Sequence, residues 1–288
     1  MKGRFTGWVI LFFVILALVP VFIINSAVTI AKILGIILVV AIVAALWKWR
    51  IQTRERSPRN ERIKLNTNDK FWLEKNIPFY QKLSKQDKQI FEDRVGIFLA
   101  DIKVTEINKE LPEKETCFYV ASSAIIAYWG LPFYNYGNIN EVLVYPSNFN
   151  LDNSLNRLGA VEGKVHHGGL MNNTMILSLP ALVKGFQIDN DKKNVGVHEF
   201  AHLLDKSDGV IDGIPVGMEE ELVEIWLNVM QDEIEKLEKT KSSIPNYAAS
   251  SNPEFFAVAV EYYKECPSLL KRKHPQLFNV LDCYFNKD

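Results

Sequence analysis

The chain has 288 residues, 48% of them apolar and 23% charged, with a formal net charge of −1 at pH 7. That length allows one or two domains, and the balance is ordinary for a globular protein. Whole-chain disorder, a collagen-like repeat and a disulfide-rich scaffold are therefore excluded. The three cysteines, Cys117, Cys266 and Cys283, form no CxxC pair and read as buried structural thiols of a reducing compartment.

Apolar residues crowd the start of the chain. Residues 1–47 hold only Lys2, Arg4 and Lys32 as charges, which leaves 30 basic residues against 34 acidic ones downstream. A balance of about −4 is too small for a chain that works by wrapping nucleic acid, so no nucleic acid is expected as a partner. Trp8 to Ile24 runs 17 residues without a charge, and Ala27 to Trp47 runs 21 with only Lys32. Each is long enough to cross a hydrocarbon core of roughly 30 Å. Asn25 and Ser26 lie between them as a turn. Trp8 stands at one end, and Trp47 and Trp49 at the other, as interfacial anchors do. The prediction is a two-helix transmembrane hairpin over residues 1–47.

A basic collar follows: Lys48, Arg50, Arg54, Arg56, Arg59, Arg62 and Lys64, opposed only by Glu55 and Glu61. Residues 48–69 read as a juxtamembrane linker, helped by Ser57 and Pro58. Lipid is the expected partner of residues 8–47 and of the collar, each well-placed basic residue contributing about 1 kcal/mol on an anionic surface. Basic residues flank both outer ends of the paired spans, which keeps both termini in the cytoplasm. The expected location is thus an inner or plasma membrane crossed twice, with the domain at 70–288 facing the cytoplasm.

That domain reads as α+β and mainly helical. Leu83 to Ile102 is predicted helical, capped by Ser84 with Asp87 three residues on, and Ile90, Val95, Phe98 and Ile102 form its apolar stripe. Cys117 to Trp129 is small and apolar, a buried helix. Glu141 to Tyr145 and Thr174 to Leu179 are short strands, each stopped by a proline. Asn194 to Asp205 is a helix closed by the turn Lys206 to Gly209. Glu219 to Lys239 is a long charged helix. Ser251 or Asn252 caps a further helix with Pro253 at its first position. The segment Met175 to Pro180 is expected at a sheet edge, where an extended peptide would pair with it. His166 and His167, followed by two glycines, read as a loop.

His198-Glu199-Phe200-Ala201-His202 carries the chemistry. Histidines four apart on a helix share one face and can share a Zn²⁺ ion, one per chain. Glu199 then reaches a metal-activated water as general base without occupying a ligand position. With 5 His and 21 Glu in the chain, chance would produce this pattern roughly six times in a thousand. A catalytic zinc needs a third protein ligand. Glu254 and Glu261, two turns apart in an otherwise apolar run, both qualify by spacing, and His274 is a further option.

At these residues a family resemblance emerges. The stretches VHEFAHLLD at 197–205 and YAASSNPEFFAVAVEYY at 247–263 resemble the Mlc titration factor A family of zinc-dependent peptidases. Weaker agreement runs through YVASSAIIAYWG at 119–130, VLVYPSNF at 142–149 and MILSLP at 175–180, so the likeness spans about residues 70–288. It implies a zincin-like, gluzincin-type metallopeptidase. Carried over by position, it implies His198, His202 and Glu254 as ligands, Glu199 as base, and Tyr247 as oxyanion stabiliser. Glu261 would orient an imidazole, and Asp205 would support the site or the end of the motif helix. One departure is local: Pro253 abuts Glu254, where the family pattern has one residue between them.

The expected function is a membrane-tethered zinc peptidase acting on a peptide or protein substrate. The alternative is a catalytically weak zinc-binding module that binds and controls a regulatory protein. From the flanking charges, a reporter fused after Asp288 is expected to be active only when it requires the cytoplasm. Activity confined to an extracytoplasmic reporter would reverse the topology.

Overall fold

The computed structural model describes residues 63–286, apart from 133–135, 137–138, 148–162, 167–173, 189 and 208, together with Gly35; for 163–166 it describes the backbone. The chain divides into two units, Met1–Asn60 and Glu61–Asp288, and every element named below belongs to the second. Among the described residues no helix is long and apolar enough to cross a membrane. The expected hairpin, Gly35 aside, and the basic linker as far as residue 62 lie outside them.

The first element of this unit is α1 (Thr67–Asn76), where Asn66 and Asp69 bond each other's backbone N–H in a capping box. One turn, α2 (Pro78–Gln81), leads to α3 (Lys85–Asp101), whose cap Ser84 accepts the Asp87 N–H at 3.1 Å. The buried stripe of α3 is Phe91, Val95 and Phe98, continued by Ile102, whereas Ile90 is exposed. Ile90 stands about 100° around the helix from Phe91, so only Phe91 shares the face of Val95 and Phe98.

Strand β1 (Lys103–Glu106) had no clear signal in its mostly polar sequence. Helix α4 (Lys114–Ala127) starts three residues before the apolar run that predicted it. Next come β2 (Glu141–Tyr145), β3 (Gly163–His166) and β4 (Thr174–Ser178). The sheet order is β1-β2-β4-β3. Strands β1, β2 and β4 run parallel, and β3 pairs antiparallel to β4, with His166 opposite Thr174. Two expectations are corrected here. Met175 to Ser178 is interior, not an edge, and His166 ends the outer strand rather than lying in a loop. All five β4 residues are buried, as a strand covered on both faces requires.

The second half is helical: α5 (Leu179–Gln187), α6 (Val195–Lys206), α7 (Glu220–Lys239), a 3-10 turn (Asn246–Ser250), α8 (Asn252–Glu265), α9 (Pro267–Lys273) and α10 (Pro275–Phe285). The result is a mainly helical α+β architecture with a small, mostly parallel sheet. No disulfide joins the cysteines; Cys117 and Cys266 are only partly buried and Cys283 is exposed, against the expectation of buried thiols.

Helix α6 runs through the middle. It packs on α8, α4 and α5, and meets β3 and β4. Val197, Phe200, Ala201, Leu203 and Leu204 are fully buried; burial of each large apolar side chain contributes about 1.5–3 kcal/mol. The approach to α4 is close enough that a Cβ at Gly196 would overlap the side chain of Ser123 and come within 2.9 Å of Leu182. Gly196→Ala is therefore expected to cost about 1–3 kcal/mol of stability through overpacking. Urea denaturation of the full chain measures it, and the added substitution Ser123→Gly should recover part of the loss.

Candidate metal centre

Helix α6 begins where Asn194 caps it, its side chain accepting the Val197 N–H at 3.1 Å. From that start, His198 and His202 fall on one face, and their Nε2 atoms stand 3.2 Å apart. Helix α8 begins at Asn252 after the cap Ser251, whose Oγ accepts the Glu254 N–H at 3.3 Å. This puts Glu254 in the first turn of α8, facing α6. One carboxylate oxygen lies 3.3 Å from His198 Nε2, and the other lies 3.3 Å from His202 Nε2. Among the described residues, these three donate ligand atoms within 4.8 Å of one another.

The spacing has a direct chemical reading. Two imidazole nitrogens 3.2 Å apart, each 3.3 Å from a different oxygen of one carboxylate, form a group of donors of the kind that holds a tetrahedral divalent ion. The tautomer points the same way. Glu261 is buried on α8, and its Oε2 lies 3.0 Å from His198 Nδ1 while its Oε1 accepts the Asn194 N–H at 2.7 Å. A carboxylate only accepts, so Nδ1 carries a proton, and in the neutral ring Nε2 presents a lone pair. A lone pair aimed at the Glu254 carboxylate is repulsive unless a cation sits between them, either the second proton of the imidazolium or a metal ion. The residues present therefore fit a metal ion.

The electrostatics agree. Burial alone would lower the affinity of His198 for a proton, but Glu261 and Glu254 outweigh it and hold the imidazole well above its ordinary pKa. Hydrogen bonds to His198 and His202 hold the Glu254 carboxyl far below the usual range. The pocket favours positive charge between these groups. The side chain of Glu254 is 36% exposed, against 13% for His198 and 18% for His202. The cluster thus opens to solvent on the Glu254 side, where an exchangeable ligand can enter.

Glu199 is buried beside the cluster, and burial raises its pKa against the opposing pull of His198 and His202. Tyr247 sits on the 3-10 turn ahead of α8 and is 47% exposed. Asp205 is buried in the last turn of α6. His274 lies elsewhere: Nδ1 is 2.6 Å from Glu233, and Nε2 is 2.8 Å from the Ser243 hydroxyl. The two carboxylates that spacing left open are thus separated by position. Glu254 faces both Nε2 atoms, and Glu261 stands behind His198. Asn194 was legible only as a helix start, yet its backbone N–H also fixes Glu261. No sequence spacing signals that bond, because it joins residues 67 apart.

The model of the glucose-regulated metallo-peptidase M90 family matches residues 48–286. A protein of Synechocystis carrying the description uncharacterised is 28% identical over 219 residues, 73% of this chain and 80% of that protein. Mlc titration factor A of Pectobacterium atrosepticum is 26% identical over 221 residues, covering 73% of this chain and 79% of the relative. Mlc titration factor A of Salmonella agona is 31% identical over 161 residues, 52% and 60% of the two chains.

If Glu261 fixes the His198 tautomer, Glu261→Gln should weaken divalent-metal binding about 10–100-fold, the usual effect of losing a partner behind a ligand. Chelator competition on the full chain measures this. Unchanged affinity would leave Glu261 a structural role alone.

Proposed function

This chain belongs to the glucose-regulated metallo-peptidase M90 family, and from that premise we propose that it is a zinc-dependent peptidase tethered to the cytoplasmic face of a membrane. The observation that carries the reading is the convergence of His198, His202 and Glu254 with Glu199 buried alongside. Two imidazoles and one carboxylate are the ligand set of a catalytic zinc with an open position. A zinc ion held there would supply Lewis acidity toward water and the scissile carbonyl.

The chain's own residues do the rest. Glu199 takes a proton from the attacking water and returns it to the leaving amine. Glu261 keeps the His198 ring oriented by holding the proton on Nδ1. Tyr247, on the 3-10 turn ahead of α8, donates its hydroxyl to the oxyanion that forms on the substrate. An extended peptide adds to the outer strand β3, against which α6 packs. The paired apolar runs in residues 1–47 and the basic collar hold this domain to an inner or plasma membrane.

A second reading has one observation in its favour. The name of several relatives ascribes to them the titration of Mlc. Carried to this chain, it makes the domain a zinc-binding module that captures a regulatory protein and cleaves little. Pure metal binding has no use for Glu199, which weighs toward the peptidase.

Glu199→Gln in the detergent-solubilised full chain separates the two. The peptidase reading expects zinc content to be retained and peptide hydrolysis to fall about 10²–10⁴-fold, the loss typical of a general base. Equal turnover in both proteins would remove Glu199 from the chemistry, and none in wild type alongside tight capture of a protein partner would favour the second.

A further inference from the structure

Asp205 sits three residues beyond His202 and is fully buried. A carboxylate in the last turn of a helix opposes the helix dipole, and burial pushes its pKa up to about 6. A residue that costs stability in two ways invites a reason. Both its oxygens accept the N–H of Gly213, at 3.0 and 3.1 Å. The Gly213 carbonyl in turn accepts the indole N–H of Trp226 on α7 at 2.7 Å. A little further on, the Val216 N–H reaches the Leu204 carbonyl, and Tyr284 donates to the Val216 carbonyl at 2.9 Å. The loop after α6 is thus strapped down around Gly213.

What Gly213 then touches is the start of α8. Its φ is +83°, in the region that favours glycine, and a Cβ there would stand 2.7 Å from the backbone carbonyl carbon and oxygen of Asn252. Asn252 opens α8, two residues before Glu254. A continuous path therefore runs from His202 through Asp205 and Gly213 to Asn252 and Glu254, joining the two helices that carry the cluster. Helix ends are where backbone position is least constrained, and Glu254 lies at one.

We propose that the Asp205–Gly213 clamp positions Glu254 against His198 and His202, so that both act on the metal through that carboxylate. This rests on the reading of those three residues as ligands. Asp205 and Gly213 are positioning residues and touch neither metal nor substrate. Their removal should loosen the 3.3 Å approaches of Glu254 and leave the histidine pair, which α6 sets by itself.

The test is chelator-competed zinc affinity of the full chain, with the cobalt(II) absorption spectrum as a second readout. Gly213→Ala and Asp205→Ala should each weaken zinc binding about tenfold or more and shift the cobalt spectrum toward that of Glu254→Ala. Asp205→Asn keeps an oxygen acceptor for the Gly213 N–H and should recover most of the affinity. Gly130→Ala is the control: its φ is +95°, and a Cβ there would overlap the Phe285 backbone. It should lower the urea midpoint without moving zinc affinity. The double variant Gly213→Ala/Glu254→Ala should bind zinc no more weakly than Glu254→Ala alone. Full additivity in the double variant, or an equal zinc loss in Gly130→Ala, overturns the clamp. Zinc affinity unchanged by Glu254→Ala would instead overturn the ligand reading beneath it.

Discussion

Two imidazole nitrogens and one carboxylate from two helices converge at 3.2–3.3 Å, an arrangement that calls for positive charge among them. Without positive charge there, the Nε2 lone pair of His198 meets the Glu254 carboxylate directly. The surroundings are organised around this constraint. Glu261 holds the His198 proton on the far nitrogen, and Asn194 holds Glu261 while capping the helix that bears both histidines. Cap, tautomer and ligand direction are thus one connected set of hydrogen bonds.

The helices must also stay at a fixed distance. Helix α6 is apolar on nearly every side, with only the histidine edge partly open. Its close contact with α4 at Gly196, and of Gly213 with Asn252, are both backbone-level approaches. Close-packed interiors transmit displacement rather than absorb it, so the rigid surroundings of α6 suit a site with little tolerance in ligand position.

A second polar chain reaches α8 at Tyr262, in its C-terminal half. Glu233 on α7, His274 before α10, Ser243 and Tyr262 are linked in sequence by hydrogen bonds of 2.6–3.0 Å, and Lys192 donates to the Ser243 carbonyl. This ties the segment before the 3-10 turn, which bears Tyr247, to three helices and to the turn before α6. It also accounts for His274. Its two ring nitrogens are already engaged here, away from the cluster.

Local sequence was sufficient wherever the physics is local. The 3.6-residue period alone places His198 and His202 on one face, and Ser84, Asn194 and Ser251 mark helix starts because each side chain bonds a backbone N–H three residues on. Strands β2 and β4 were legible from short apolar runs ending at prolines. Position within the sheet was not, since an apolar run of five suits an interior strand or an edge equally, and neighbours decide. Strand β1 and the antiparallel β3 had no comparable local signal. Spacing offered both Glu254 and Glu261 as ligands because residues seven apart share a helix face. Only the packing of α8 across α6 turns one toward both Nε2 atoms and the other toward Nδ1. The role of Asp205 is likewise tertiary: its partner Gly213 is eight residues away, and what that glycine presses on is 39 residues further along the chain. Sequence by itself determined the chemistry available, the donor types and their helical spacing. Tertiary structure decided which donors meet, because a metal site is defined by distances between elements that no local period encodes.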